Sequence, residues 1–97
     1  MGLNRFAKRR DANETAIRRA LEHVGAQVYP IDKPADLLVG FRQRWHLLEV
    51  KDGAKPPSKR ALTPGEAIVA AECQWEGLPY HVVLSESEAL EAIGATR

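Results

Sequence analysis

The chain has 97 residues, with 14 Lys and Arg against 13 Asp and Glu for a net charge of +1, which is one domain's worth of sequence and leaves no room for a second independent core. Hydrophobic residues at 44% and charged residues at 28% are the proportions of an ordinary folded domain, and they exclude disorder over the whole length. The single cysteine, Cys73, excludes an intrachain disulfide scaffold. No apolar run approaches a membrane span, and the N-terminus carries charges without the apolar stretch of a secretory signal. The expectation is a cytoplasmic protein with no membrane partner and a single domain over 1–97.

Residues 1–10 form a basic tail, with Arg5, Lys8, Arg9 and Arg10 and no acid. Asp11 to Glu14 has the spacing of a capping box, and Ile17, Ala20, Leu21 and Val24 follow on one helical face up to Gly25. A short strand over 26–31 is interrupted by Pro30, which places it near a sheet edge. Residues 36–41 and 44–51 read as a hairpin. Its strands are apolar on both sides, with Leu37 and Val39 against Leu38, and Leu47 against Leu48 and Val50. Strands of that kind belong to a sheet covered by helices on both faces.

The segment from Lys51 to Arg60 holds Lys51, Lys55, Lys59 and Arg60 against Asp52 alone, with Gly53, Pro56 and Pro57, and reads as an exposed basic loop. Thr63-Pro64-Gly65-Glu66 opens a helix with N-cap, N1 proline and N3 glutamate in place. Ala67, Ile68, Ala71 and Trp75 continue it to Gly77. Tyr80 to Leu84 is a fourth strand. Ser85 to Glu88 repeats the capping spacing, and Ala89, Leu90 and Ile93 follow up to Gly94. The predicted order is α-β-β-β-α-β-α, an α/β domain with one sheet between helices.

The hairpin carries the chemistry. A turn centred between Arg42 and Gln43 sets Asp36 directly opposite Glu49, with Lys51 on the same face two residues on. A slip of one residue would break this pairing, and Arg-Gln is not a preferred two-residue turn. Opposed carboxylates beside Leu and Val are costly to desolvate. Either a hard divalent cation neutralises them, or Asp36 and Glu49 sit at exposed strand ends and pair with Lys51 or a loop arginine. Glu14 shares the helical face of Ile17 and Leu21 and so points at the sheet, or it is simply the closing member of the box begun by Asp11. Glu66 reads as a capping residue in the same way.

Other features read plainly. His23, His46 and His81 lack metal-ligand spacing and read as packing or surface residues. Cys73 reads as buried and inert. Trp45 and Trp75 read as core or dimer contacts. No glycine-rich phosphate cradle is present. The basic tail with Lys8, Arg9 and Arg10, and the loop with Lys55, Lys59 and Arg60, either contact phosphate or are solvated.

Asp36-Leu-Leu-Val-Gly followed by the Glu49-Val50-Lys51 triplet, within this order of elements, resembles the PD-(D/E)XK nuclease superfamily. The stretch from about Asp11 to Ile93 is similar to its small phage-type members near the VRR-NUC and Holliday-junction-resolvase-like groups. The resemblance implies a restriction-endonuclease-like core with a mixed four-stranded sheet. It implies that Asp36 and Glu49 bind metal together with the Val50 carbonyl, that Glu14 is the helix-one acid, and that Lys51 is the catalytic lysine. Two positions depart from the pattern. Ala35 stands where a proline is expected, with Pro34 one place earlier, and Glu66 stands where a glutamine is often found, which puts the contact of that helix with substrate or lysine in doubt.

The function so implied is a Mg2+- or Mn2+-dependent endonuclease hydrolysing DNA phosphodiester bonds in a bacterial or phage-infected cell, with branched or Holliday-junction DNA as a candidate substrate and no small-molecule cofactor. A homodimer would present two sites to a branch, and Trp75, Leu78 and Tyr80 are candidates for its contact. The alternative from another class is a non-catalytic nucleic-acid-binding accessory module on the same fold.

Overall fold

Apolar residues at alternate positions of the hairpin decide the layout. In the computed structural model, which describes residues 11–95, Leu37 and Val39 of one strand and Leu48 and Val50 of the next turn to the same side and are buried with Val83. Ile17 and Leu21 from the first helix and Ala89 and Ile93 from the C-terminal end complete this core. The elements in chain order are α1 (Glu14–His23), β1 (Gln27–Pro30), β2 (Leu37–Phe41), β3 (Arg44–Val50), α2 (Pro57–Arg60), α3 (Pro64–Glu76), β4 (Tyr80–Val83) and α4 (Glu86–Ala92). The predicted basic-tail residues Lys8, Arg9 and Arg10 lie outside the described residues.

The strands form one mixed sheet in the order β1-β2-β3-β4, antiparallel except for the parallel β3–β4 pair. β1, with its proline, is an edge strand as expected. Helices α1 and α4 cover the core face, and α3 reaches the opposite side at β4. That opposite side is only partly covered, because Tyr29, Trp45 and Val82 remain exposed. Two-sided apolarity in the hairpin therefore overstates the covering, and Trp45 is not a core residue. Its ring lies over Gly40 instead, where an added Cβ would approach the indole to 3.0 Å, and it stands 6.2 Å from the Tyr29 ring.

The hairpin register is the predicted one, with Leu37 opposite Leu48 and Phe41 opposite Arg44. Arg42 and Gln43 both adopt left-handed backbone, φ 52° and 68°, the geometry a two-residue hairpin needs to match strand twist. Helix α3 starts as expected, with a complete capping box between Thr63 and Glu66 and left-handed Gly77 at its end. At α4, Ser85 accepts from the Glu88 N–H, but Glu88 closes on Leu84 rather than on Ser85.

Two expectations change. The basic segment contains the one-turn helix α2, because Pro56 and Pro57 are pre-set for a helix start. The start of α1 is not a capping box: Asn13 is the N-cap residue, Glu14 is the first helical residue, and the Asp11 carboxylate pairs with Lys55 at 2.9 Å. Among the described residues, no helix is long and apolar enough to cross a membrane.

Candidate active site

Asp36 ends up opposite Glu49 because β2 and β3 keep their register to the last pair, Leu37 with Leu48. The face opposite the core then receives Asp36, Glu49 and Lys51 together. They are 4, 2 and 9% exposed, so the reading in which Asp36 and Glu49 sit at exposed strand ends is overturned. Asp36 is locked by its surroundings. Its carbonyl accepts from the Ile31 N–H at 2.8 Å, and its Oδ2 accepts from the Val50 N–H at 2.7 Å, the short length of a charge-assisted bond. The N–H and C=O of a strand residue point to the same side, so the Val50 carbonyl also leaves β3 toward Asp36. Lys51 faces the other way along the backbone, its N–H donating to the Val83 carbonyl at 3.0 Å.

The fourth member arrives from α3. Glu66 Oε1 accepts from Lys51 Nζ at 2.8 Å and from the Thr63 N–H at 2.9 Å. Glu66 is therefore a capping residue and a partner of Lys51 at once. Lys51 Nζ is 3.9 Å from Glu49 Oε2.

Electrostatics divides the roles. Burial, then hydrogen bonding and repulsion from the Asp36 and Glu66 carboxylates, push the Glu49 carboxyl up to about 8. Burial works to raise Glu66 too, but the hydrogen bonds from Lys51 and the Thr63 backbone outweigh it and hold this carboxyl down at about 2. Burial works to lower Lys51, but Glu66 overcomes it and keeps the amine above its ordinary value. The cluster is thus an ammonium held by Glu66 beside a Glu49 carboxyl whose ionisation is disfavoured.

Glu14 is 2% exposed in the first turn of α1, so its side chain points inward as its helical face implied. Asn13 fixes that turn to the sheet by donating to the carbonyls of Lys51 at 3.1 Å and Leu84 at 2.9 Å. A cleft of about 730 Å³ opens between the 32–34 loop and the first turns of α3, with Glu49 and Glu66 in its wall. Among the described residues, no three His, Cys, Asp or Glu side chains are already arranged as a cage for a metal ion. The donor chemistry nevertheless fits a hard cation. Asp36, Glu49 and the Val50 carbonyl are oxygen donors at one strand end, and the raised Glu49 carboxyl is the strain that a divalent charge relieves. Glu14 could supply a further oxygen from α1.

The remaining predicted residues divide. Lys55 is engaged with Asp11, and Lys59 and Arg60 lie on α2 past the end of β3, Lys59 exposed. Cys73 is buried, the one buried residue of α3. Trp75 is 87% exposed and Leu78 56% exposed, so neither is core. Tyr80 does not join them as surface. The parallel register puts it beside Leu47 on the face of Glu49, where its hydroxyl is buried without a hydrogen-bond partner among the described residues. Burial and then the Glu49 and Glu66 charges push that hydroxyl up to about 12.

Sequence reasoning took Tyr80 for a dimer contact rather than a neighbour of the acids, and it missed Asn13 and one pairing on the core face. His46 Nδ1 and His81 Nε2 are 3.4 Å apart. Burial first, and for His46 also the neighbouring His81 and Arg44, lower both imidazoles from their ordinary value. No spacing rule joins residues 46 and 81, because only the β3–β4 register brings them together.

Sheet order and helix placement define an α/β domain with a mixed four-stranded sheet, and two acids and a lysine gather at one strand end of it. A solved structure described as a "VRR_NUC domain" is similar to this chain with a TM-score of 0.62 and 21% identity, over 90% of this chain and 100% of that one. The chain thus has the VRR_NUC fold. No family profile and no curated protein matches it.

Proposed function

We propose that the chain is a divalent-metal-dependent nuclease that hydrolyses DNA phosphodiester bonds. The observation that carries this reading is the buried, opposed pair Asp36 and Glu49 with Lys51 on the same face of a VRR_NUC fold. Such a pair is expensive to maintain unless it serves a cation. When bound, Mg2+ or Mn2+ would supply Lewis acidity toward a phosphoryl oxygen and a water of lowered pKa.

The chain's own residues do the rest. Asp36, held by the Val50 N–H, presents a fixed carboxylate. Glu49 gives up its proton on loading. The Lys51 ammonium, beside the cleft, orients the attacking water and offsets the negative charge that develops on the phosphate. Lys55, Lys59 and Arg60, on the segment that leaves β3, contact phosphates of the strand. Two copies joined through Trp75 and Leu78 would present paired sites to branched DNA in a bacterial or phage-infected cell.

Incubating the protein with linear duplex, single strand, flap and four-way junction, each with and without Mg2+ or Mn2+, tests the proposal. Metal-dependent cleavage, strongest on the junction and lost in Asp36→Asn, is expected. DNA retention in a shift assay with no cleavage under any condition would leave the accessory binding module as the function.

A further inference from the structure

We infer that Glu66 is a positioning residue that holds the Lys51 ammonium away from Glu49 and at the cleft, so that the first turn of α3 sets the geometry of the site. The inference rests on the nuclease reading and deepens it. A single oxygen, Glu66 Oε1, accepts both from Lys51 Nζ at 2.8 Å and from the Thr63 backbone N–H at 2.9 Å. The second bond belongs to the capping box, which Thr63 Oγ1 closes by accepting from the Glu66 N–H at 3.2 Å. Glu66 is therefore pinned to the backbone, and what it holds is pinned with it.

Lys51 has two carboxyls in reach and uses one. Glu66 is at 2.8 Å, and Glu49 Oε2 is at 3.9 Å. A lysine head is a compact charge on a flexible four-carbon stem. With Glu66 gone, a movement of about 1 Å closes it onto Glu49 at hydrogen-bonding distance. A Lys51–Glu49 ion pair then occupies the oxygens that a cation needs. Glu66 prevents this by offering an immobile carboxylate partner from the α3 wall of the cleft. The contact also ties α3, which buries only Cys73 elsewhere, to the catalytic strand. Glutamine at this position would keep an acceptor oxygen for both donors and lose the charge.

The test uses Glu66→Ala, Glu66→Gln and the double variant Lys51→Ala/Glu66→Ala, with Ser85→Ala as a control that removes the Ser85 cap of α4 away from the site. In metal-free protein, the slowly exchanging ζ-ammonium signal of Lys51 in nitrogen-15 spectra is read directly. It is expected to persist in wild type, Glu66→Gln and Ser85→Ala, and to be displaced in Glu66→Ala toward the signature of a Glu49 pair. Calorimetric Mn2+ affinity is expected to fall about tenfold in Glu66→Ala, the size of one charge-assisted bond gained by Glu49, and to return to within about twofold of wild type in the double variant.

On DNA, Glu66→Ala is expected to lower kcat about 10- to 100-fold with KM unchanged, and Glu66→Gln to recover most of it. An unmoved Lys51 signal in Glu66→Ala overturns the inference. So does a metal affinity that the double variant fails to restore, because Glu66 would then be acting on the cation itself. A wild-type protein that does not cleave refutes the nuclease reading, while the Lys51 signal still decides the positioning role.

Discussion

Proton release on metal binding follows from the Glu49 carboxyl. With its titration pushed up to about 8, roughly a tenth of the metal-free protein carries Glu49 ionised at pH 7, and loading a cation that needs the carboxylate costs about 1.4 kcal/mol relative to alkaline conditions. Apparent Mn2+ affinity is therefore expected to rise about tenfold per pH unit between roughly pH 5.5 and 7.5 and to level off above about pH 8.5. Each ion should displace close to one proton at the lower end of that range.

Metal-free stability should move the other way. Glu49 rises from 4.5 in the unfolded chain to about 8 in the folded one, so its contribution is fully present below about pH 4.5 and is lost as pH climbs through 8. Glu66 falls from 4.5 to about 2, so its contribution is present above about pH 4.5 and is lost as pH drops through 2. These two groups together favour the metal-free fold most near pH 4.5. Calorimetry in two buffers of different ionisation heat between pH 6 and 9 counts the protons, and melting curves with and without Mn2+ follow the stability. A metal affinity independent of pH, with no proton released, would refute the assignment of Glu49 as a cation ligand. Glu49→Gln should abolish the proton release.

Four further outcomes are expected. Asp36→Asn should remove the rise in Tm that Mn2+ or Mg2+ gives by binding the folded state alone; an unchanged rise in thermal scans would place the metal elsewhere. Lys51→Ala should retain Mn2+ binding by calorimetry and lose cleavage by about a hundredfold or more, and a wild-type cutting rate would reduce Lys51 to a structural charge. Gln43→Gly should stabilise the hairpin by about 1 kcal/mol in urea unfolding, because Gln43 holds φ 68° where a side chain is strained. Sedimentation velocity at micromolar concentration should show twice the 10.8 kDa chain mass, and Trp75→Glu, at an exposed residue of α3, should return it to monomer; a wild-type monomer that stays single on a four-way junction ends the dimer proposal.

The sequence by itself determined what neighbours along the chain decide. Thr63-Pro64-Gly65-Glu66 marked the start of α3 because cap, proline and N3 glutamate act within one turn. The hairpin register followed from the turn, and the alternation of strand side chains then put Asp36, Glu49 and Lys51 on one face without reference to any other element. Tertiary structure decided the rest. The parallel β3–β4 pair has no tight turn to set its register, so the approach of Tyr80 to the acids and of His46 to His81 depended on how the crossover packs. Asn13 became the anchor of α1 on the sheet because the Lys51 and Leu84 carbonyls lay within reach of its amide donors. Glu66 reads as a cap in sequence and becomes the partner of Lys51 only when α3 docks, since a side chain's second contact is set by what packing brings near it and not by its own spacing.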